Sequence, residues 1–478
     1  MNSSLFLSLF FTYLALTLVL GWWVSRKNKG VDDFLLAGRG LPVFLMLGTT
    51  LATLVGTGSS MGAVGFSYAN GWAGALYGIG GFMGLILCAW IFAPMRAHGF
   101  YTMSEELSFY VGANKLIKNS VGCLIFIASI GWLGAHILGG ATYLSWITDI
   151  EIQSAKFLIA LGFSLYILIG GYTAVVWADT LQAIVLFTGF ILLTLFTFNK
   201  VGDLSTILAA QPAANTSLFA QIGTLPAISL AAVICIGVLA TPSFRQRIYS
   251  ARSINTARVS FVSSGILYLL FSAIPVIVGM AAYSLNPELE SANFAFPYLT
   301  ATILPIGIGM VVLIAGLSAT LSSASSDAIA AVASLLKDIG HMFYQKPVAE
   351  ENMMRYARVA TLFVILLALA LASISDDIIG YITKMIATVM SGLFVCGVLG
   401  RFWSRFTWQG ALASLISASF TSIVILLNAD WLTFWGNPIL PSVFISALAG
   451  LAVSMSTPVS NMSDEEALDQ IFSTRKNL

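Results

Sequence analysis

Charge is what this sequence has least of. Asp, Glu, Lys and Arg together make up 9% of its 478 residues, whereas a soluble protein carries about 25%. So little charge excludes an aqueous domain of any size. With hydrophobic residues at 58%, the composition predicts an integral membrane protein that crosses the bilayer many times. The net charge of +1, with no long basic block, gives no reason to expect a nucleic-acid partner.

Cysteines and catalytic motifs are also scarce. No nucleophile–base spacing, phosphate-binding loop or metal motif is present, so we expect no enzymatic activity and no cofactor. The four cysteines lie inside apolar runs without disulfide or zinc spacing, which favours buried small side chains: Cys88, Cys123, Cys235 and Cys396.

Long apolar runs are abundant, and they predict an all-α protein. Each is long enough for the roughly 20 residues that a spanning helix needs. The predicted helices are 4–24, 42–69, 72–95, 117–145, 153–172, 178–199, 226–244, 260–284, 296–336, 354–374, 378–400, 407–427 and 437–457. No soluble linker separates them, so residues 1–478 are expected to form one polytopic domain of about thirteen transmembrane helices. Basic residues follow the first run rather than precede it, which predicts a retained helix and not a cleaved signal peptide.

Basic residues predict the orientation of these helices in the bilayer. With the N-terminus outside, the outward loops hold only Lys156 and Lys200. All the other loop arginines and lysines, from Arg26 to Lys476, then fall on the inner side. Because positive charge is retained on the cytoplasmic side, we expect a cell-membrane protein with its N-terminus outside and its C-terminus in the cytoplasm.

A cluster of hydroxyls interrupts one apolar stretch. Residues 318–326 read Ser-Ala-Thr-Leu-Ser-Ser-Ala-Ser-Ser, inside a run from about Ala301 to Ala333. Each hydroxyl costs free energy in lipid unless a partner satisfies it. Hydroxyl and carbonyl oxygens are the ligands that a small hard cation such as sodium prefers. The cluster therefore predicts an ion-coupled transporter.

Two predicted helices contain weak points at comparable positions. Segment 42–69 has Gly56 and Gly58 on either side of Thr57, and segment 226–244 has Gly237 near its centre and Pro242 near its end. Each segment opens a block of five helices, 42–199 and 226–400. Discontinuous helices at matching positions of two halves are typical of inverted-repeat transporters with a midplane site. Alternatively, the small residues only allow helices to pack closely.

Four stretches, in order along the chain, resemble the sodium/solute symporter family, whose members include sodium/proline, sialic acid, pantothenate and choline symporters. They are Asp32–Arg39 (DDFLLAGR), Gly170–Gln182 (GGYTAVVWADTLQ), Pro242–Arg247 (PSFRQR) and Leu321–Ala324 (LSSA). The resemblance implies a LeuT-type core of five plus five helices in inverted repeat. One extra helix, 4–24, would precede this core; two more, 407–457, and a cytoplasmic tail, 458–478, would follow it.

The resemblance also implies where sodium binds. By position, the ligands would be the carbonyls of Ala52, Val55 and Ala319 and the hydroxyls of Ser322 and Ser323. The spacing agrees, because Ala319 and Ser323 lie one helical turn apart. Asp179 would be a second sodium or coupling site, or else a helix-capping or loop residue.

The expected substrate site departs from the relatives. Proline symporters have an aspartate where this chain has Leu54, and their aromatic positions are Ile234 and Val238 here. Many relatives also read Ser-Ser-Ala-Asp-Ser where this chain has Ser-Ser-Ala-Ser-Ser-Asp, so the acid has moved two positions, to Asp327. The implied substrate-binding residues are Thr53, Leu54, Gly56, Thr57, Trp132, His136 and Val238, with Ser59 and Tyr77 nearby.

His136 is the histidine inside a predicted membrane helix, one turn beyond Trp132. It could bind the solute or carry a proton, or bond to a neighbouring helix.

We therefore expect a sodium-coupled symporter that moves a small organic solute by alternating access. The solute would be neutral or monoanionic, such as an amino acid, a monocarboxylate or a sugar-like compound, and its partners would be sodium and the lipid bilayer. Two alternatives stay open: proton coupling through Asp179 or His136, and a solute sensor built on the same fold. A sensor usually carries a signalling domain, and the tail after about Thr457 is short for one.

Overall fold

The computed structural model describes residues 3–28, 30–343, 350–374 and 386–476. In these ranges the structure is helical, and no β-strand forms. The first half contains α1 (Ser3–Ser25), α2 (Val31–Leu36), α3 (Val43–Leu54), α4 (Ala63–Asn70), α5 (Ala75–Ile91), α6 (Met103–Phe109), α7 (Lys115–Thr148) and α8 (Ile152–Lys200).

The second half is helical as well. Its helices are α9 (Leu204–Ala209), α10 (Thr224–Ala240), α11 (Pro242–Ser250), α12 (Ile254–Leu285), α13 (Ala295–Ile303), α14 (Ile306–Ser334), α15 (Gly340–Phe343), α16 (Glu350–Ser373), α17 (Ser391–Phe402), α18 (Trp408–Leu427), α19 (Ala429–Trp435), α20 (Ile439–Ser456) and α21 (Asp464–Lys476). Within the described residues, nine helices are long and apolar enough to span a membrane, or ten if α10 and α11 form one bent span.

The predicted break in the second apolar segment is present. Helix α3 ends at Leu54, and Val55 has a non-helical backbone (φ −85°, ψ 57°). The chain then resumes as a π-helical turn, Gly58–Gly62, which leads into α4. Both parts run along α12, with Val43 accepting a hydrogen bond from Ser260 and Val64 packing against Gly279. The break therefore lies inside the helix bundle rather than at its rim.

The chain reverses direction between α4 and α5. Gly71, with φ +58°, starts a short 3₁₀ turn, a conformation that glycine adopts without steric cost. Helix α5 then returns along α12 in the antiparallel sense, with Gly78 against Ser272 and Leu85 against Gly265. Residues 42–69 and 72–95 are thus separate passes through the bundle, as predicted.

A second reversal is hidden inside the 49-residue helix α8. Gly171 has φ +56° and ψ −144°, which is not helical. A Cβ placed on Gly21 of α1 would lie 3.1 Å from the Cβ of Tyr166 and 3.3 Å from that of Ala174. In a straight helix those two residues would be about 12 Å apart along the axis. Helix α8 therefore turns back at Gly171 into two passes; the second begins at once, not at 178 as predicted.

Predicted helix 226–244 bends near its C-terminal end. Helix α10 is intact through Gly237 and meets α11 at Thr241 and Pro242, with an angle of 44° between the two helices. The prediction that Gly237 is a weak point was wrong. Pro242 has no amide hydrogen, and its ring disfavours helical backbone at Thr241, so the chain bends there.

The ninth predicted helix, 296–336, is in fact two helices. Leu304 is extended (ψ 144°) immediately before Pro305, as the residue before a proline usually is, and this separates α13 from α14. Helix α14 is buried from Val312 to Ser334, packing against α8, α7 and α3. The hydroxyl cluster consequently lies in the interior of the bundle.

The C-terminal part agrees with prediction where it is described. Residues 378–385 of predicted helix 378–400 lie outside the described residues, and α17, α18 and α20 follow in place. Residues 458–478, predicted only as a tail, contain α21. Ser463 immediately precedes this helix. Its amide and hydroxyl donate hydrogen bonds to the carboxylate of Glu466, which hold the pKa of Glu466 below its usual value. Arg475 pairs with Glu105 of α6 at 2.5 Å.

Candidate functional site

The break after α3 faces the hydroxyl cluster of α14. Ser322 donates hydrogen bonds to the carbonyls of Ala52, at 2.9 Å, and Ala319, at 3.1 Å. Three of the five predicted sodium ligands therefore meet, all of them almost completely buried. Their oxygens are neutral and close enough to share one small cation.

Ser323 supports the same arrangement from the next position of α14. Its hydroxyl donates to the carbonyl of Thr53 at 3.1 Å, and its side chain fills the space that a Cβ on Gly56 would need. Val55, the fifth predicted ligand, is the residue at which helical backbone ends. The carbonyls of a broken helix have lost their intrahelical donors, and a bound cation can satisfy them.

A cavity of about 150 Å³ opens beside these residues. It is comparable in size to an engineered cavity that holds benzene. Predicted substrate residues Thr53, Leu54, Gly56, Trp132, His136 and Val238 all line it, together with Ser59, Tyr77 and Ser323. Thr57 does not line the cavity. Most of the remaining wall is apolar, from Leu230, Val233 and Ile234 of α10.

His136 is held by partners on both of its nitrogens. Its Nδ1 is 3.1 Å from the hydroxyl of Thr57, which in turn is 3.0 Å from that of Thr320. Its Nε2 is 3.4 Å from Oδ2 of Asp327. The ring stacks on Trp132, with centroids 6.0 Å apart. Of the predicted roles for His136, the bond to neighbouring helices is present, and the histidine also lines the cavity.

Asp179 lies deeper in the bundle, paired with a cation that the sequence did not place there. Its Oδ2 is 3.3 Å from Arg247 of α11, and it accepts hydrogen bonds from Thr49 at 2.6 Å and Ser326 at 3.2 Å. Neither charged side chain has exposed surface. In this conformation the positive partner of Asp179 is thus a guanidinium, and Asp179 lies well inside α8 rather than at a helix cap.

Arg247 joins three parts of the bundle. Besides Asp179 of α8, it donates to the carbonyl of Thr49 at 3.1 Å, to the hydroxyl of Ser326 at 2.8 Å and to that of Thr53. It therefore links α11 to α3, α8 and α14 directly beneath the predicted sodium ligands.

Sequence reasoning missed Arg247 and left Asp327 without a role. Arg247 was counted among loop charges, although the motif Pro242–Arg247 was itself part of the family resemblance. The signal that could have found it is the proline, which ends α10 and turns the next helix inward. Asp327 was noted only as a displaced acid. Its spacing of four residues from Ser323 places both on one face of α14.

Taken together, the fold and the site combine a helical membrane protein, a broken helix and a buried cluster of hydroxyl and carbonyl oxygens beside a cavity. The structure resembles a sodium-coupled sialic acid symporter in its substrate-bound outward-open state, with a TM-score of 0.82 at 19% identity, over 96% of this chain and 99% of that one. It also resembles the nucleobase-cation-symport transporter Mhp1, with a TM-score of 0.59 at 11% identity, over 91% and 98% of the two chains. Likeness at these identities shows the fold, which is the LeuT type.

The family model described as "Sodium:solute symporter family" matches residues 34–418, and the chain belongs to that family. The sodium/glucose cotransporter of Vibrio parahaemolyticus is 26% identical, over 86% of this chain and 82% of the relative. The high-affinity proline transporter of Bacillus subtilis is 23% identical, over 92% and 93%. The monocarboxylic acid transporter of Corynebacterium glutamicum is 23% identical, over 97% and 93%.

Proposed function

We propose that this protein carries sodium and a small organic solute across the membrane together, with the ion held by Ala52, Val55, Ala319, Ser322 and Ser323. The observation that carries the proposal is the meeting of Ser322 with the carbonyls of Ala52 and Ala319 beside a cavity. Membership of the sodium:solute symporter family supports sodium as the coupling ion. No cofactor and no enzymatic step are part of the mechanism.

The mechanism couples the ion to the solute through the broken helix. With sodium bound, the carbonyls of Ala52 and Val55 at the end of α3 share one cation with the ligands on α14, which fixes the distance between the two elements. Thr53, Leu54 and Gly56 follow directly and form one wall of the cavity. Sodium thereby shapes the wall that the solute contacts, and each ligand raises the affinity for the other.

Release requires weak binding, and the ligand set suits this. The five proposed ligands are neutral oxygens without a carboxylate, so the ion is held by dipoles alone. Asp179, the proposed second ion site, is neutralised by Arg247 in this conformation. A second sodium would therefore bind there only after the guanidinium moves away.

The inner-side excess of arginine and lysine supports an outside N-terminus and a cytoplasmic C-terminus.

Replacing Ser323 tests the ion site. We expect Ser323→Ala to raise the sodium concentration that half-saturates thermal stabilisation by on the order of tenfold, since one of five ligands is lost. The measurement is a melting curve of the purified protein over a sodium series, with potassium keeping ionic strength constant.

Ser318→Ala is the matched control on the same helix. The hydroxyl of Ser318 bonds to Tyr13 and to the carbonyl of Ile314, away from the proposed ligands, so its sodium response should equal that of the wild type. Equal shifts in the two variants, or no response to sodium in the wild type, would refute the site.

A further inference from the structure

Asp327 places a carboxylate at the solute cavity. It lies one turn beyond Ser323 on α14, about 6 Å further along the helix axis, and it lines the cavity with 5% of its surface exposed. Of the described lining residues, it is the one that carries a carboxyl group. A carboxylate in such an apolar wall requires partners.

His136 lies against this carboxyl group. Its Nε2 is 3.4 Å from Oδ2 of Asp327, and its Nδ1 is 3.1 Å from the hydroxyl of Thr57, which is 3.0 Å from that of Thr320. These contacts hold the imidazole and the carboxyl group side by side at the cavity wall. Oδ1 of Asp327 has no hydrogen-bond partner among the described residues, so one carboxylate oxygen remains available to a ligand.

The residues around the cavity also include hydrogen-bond donors, which suit an acceptor group of the solute such as a carboxylate. The indole N–H of Trp132 and the hydroxyl of Ser243 belong to lining residues, and neither has a hydrogen-bond partner in the described structure. Arg247, which does not line the cavity, directs its Nη2 to Asp179, Thr49, Thr53 and Ser326. A solute with both an acceptor and a positively charged donor would satisfy all of these groups.

The charge balance favours the same kind of solute. The proposed sodium ion beside Ser323 and one carboxylate at Asp327 sum to zero, so a solute without net charge keeps the closed cavity neutral. A simple monoanion would add a second negative charge close to Asp327, where little water screens the repulsion. A solute that carries its own ammonium group escapes this penalty.

We propose that Asp327, oriented by His136, binds the protonated amine of the transported solute. The solute class is then a small zwitterion with an apolar body, that is, an amino acid or a close analogue, with its carboxylate towards the sodium ion, Trp132 and Ser243. This inference rests on the proposed sodium symport and narrows its substrate class.

The test compares solutes that differ in one group. Valine, isovalerate (valine without its amine) and isobutylamine (valine without its carboxylate) form one set, and the same sets are made for alanine, leucine and proline. Each is titrated against the purified full-length protein in sodium and in potassium, with melting temperature as the readout. At least one amino acid should stabilise the protein in sodium, and its amine-free acid should bind on the order of tenfold more weakly or worse.

The variant Asp327→Asn isolates the carboxylate. It should weaken binding of the same amino acid by on the order of tenfold and leave the stabilisation by sodium alone intact. Asp430→Asn removes an equally charged but exposed side chain on α19 and should behave as the wild type.

The outcomes separate this inference from the proposed function. Stabilisation by sodium together with equal binding of isovalerate and valine, or with no binding of any amino acid in the sets, overturns the amine site and leaves sodium binding standing. A protein that sodium does not stabilise overturns the proposed function itself. If Asp327→Asn fails to fold, the comparison of valine with isovalerate on the wild-type protein still tests whether the site binds an amine.

Discussion

At the scale of single residues, the buried pair of Arg247 and Asp179 connects four helices, α3, α8, α11 and α14. The guanidinium contacts α3, α8 and α14 at once, and neither partner has exposed surface. Desolvating two charges is costly, and their attraction repays it only while both are present. The pair therefore favours this arrangement of the helices over alternative arrangements more than it adds to the stability of the fold as a whole.

Breaking this pair should be costly, and removing both charges should be less so. We expect Arg247→Gln or Asp179→Asn to lower the free energy of unfolding by about 3–5 kcal/mol, because each leaves a buried charge unpaired. The double variant should lose clearly less than the sum of the two. Urea unfolding of all four proteins in one detergent measures this. Additive losses would mean that the two side chains do not interact.

Residues near one another in sequence were predicted better than residues brought together by folding. The family resemblance supplied all five proposed ligands, Ala52, Val55, Ala319, Ser322 and Ser323, and the one-turn spacing of Ala319 and Ser323 agreed with it. Arg247 lies 68 residues from Asp179, and no local pattern reports such a contact. Its role becomes visible only when Pro242 is seen to turn α11 into the bundle.

At the scale of elements, the break after α3 depends on close approach to α14. Gly56 packs against Ser323 with no room for a Cβ between them, whereas Gly58, two residues on, has open space at the same position. Two glycines in one short segment thus have different functions. Gly56 permits contact between the two halves of the proposed ion site, and Gly58 only lines the cavity.

Replacing these glycines should separate the two functions. We expect Gly56→Ala to displace Ser323 and to abolish or strongly reduce the stabilisation by sodium. Gly58→Ala should retain that stabilisation, because its added methyl group meets nothing. Melting curves with and without sodium give both answers. If the two variants keep the same sodium shift, the close approach of α3 and α14 is not what forms the site.

Helices whose positions follow from a long hydrophobic run were predicted well. Breaks and turns that depend on a single residue were predicted less well. Lengths of apolar runs located the passes, including the first and the last two. The bend at Thr241 and the break at Leu304 each precede a proline, and the turn at Gly171 needs a positive φ. Such features depend on one residue, and the glycine at 237 shows that the same residue type within a helix need not break it.

At the scale of the whole molecule, fold and coupling follow from one arrangement. The LeuT-type fold places a broken helix and a hydroxyl-bearing helix against each other. The proposed cation binds at this contact, and the cavity proposed for the solute lies beside it. The five-plus-five architecture was predictable from the family resemblance. Of the two weak points that also suggested it, the one beside Thr57 is a break, whereas the helix with Gly237 bends only at Thr241 and Pro242. The exact number of thirteen spans and the orientation of the termini stay predictions.

The substrate could not be predicted from sequence because its site combines residues from several helices. Leu54, Trp132, His136, Val238 and Asp327 come from α3, α7, α10 and α14 and share one cavity only in the folded protein. The resemblance alone suggested where to look and left the chemistry open. Folding also pairs His136 with Asp327, the one carboxyl group among the described lining residues.

Solute-dependent entry of radioactive sodium into proteoliposomes tests the central claim most directly. Vesicles that contain the purified protein are loaded with potassium, and uptake of ²²Na⁺ is measured with and without each amino acid of the sets above. We predict that at least one amino acid accelerates sodium entry and that Ser323→Ala greatly reduces this acceleration while Ser318→Ala does not. Sodium entry that no bound solute changes would contradict coupled transport.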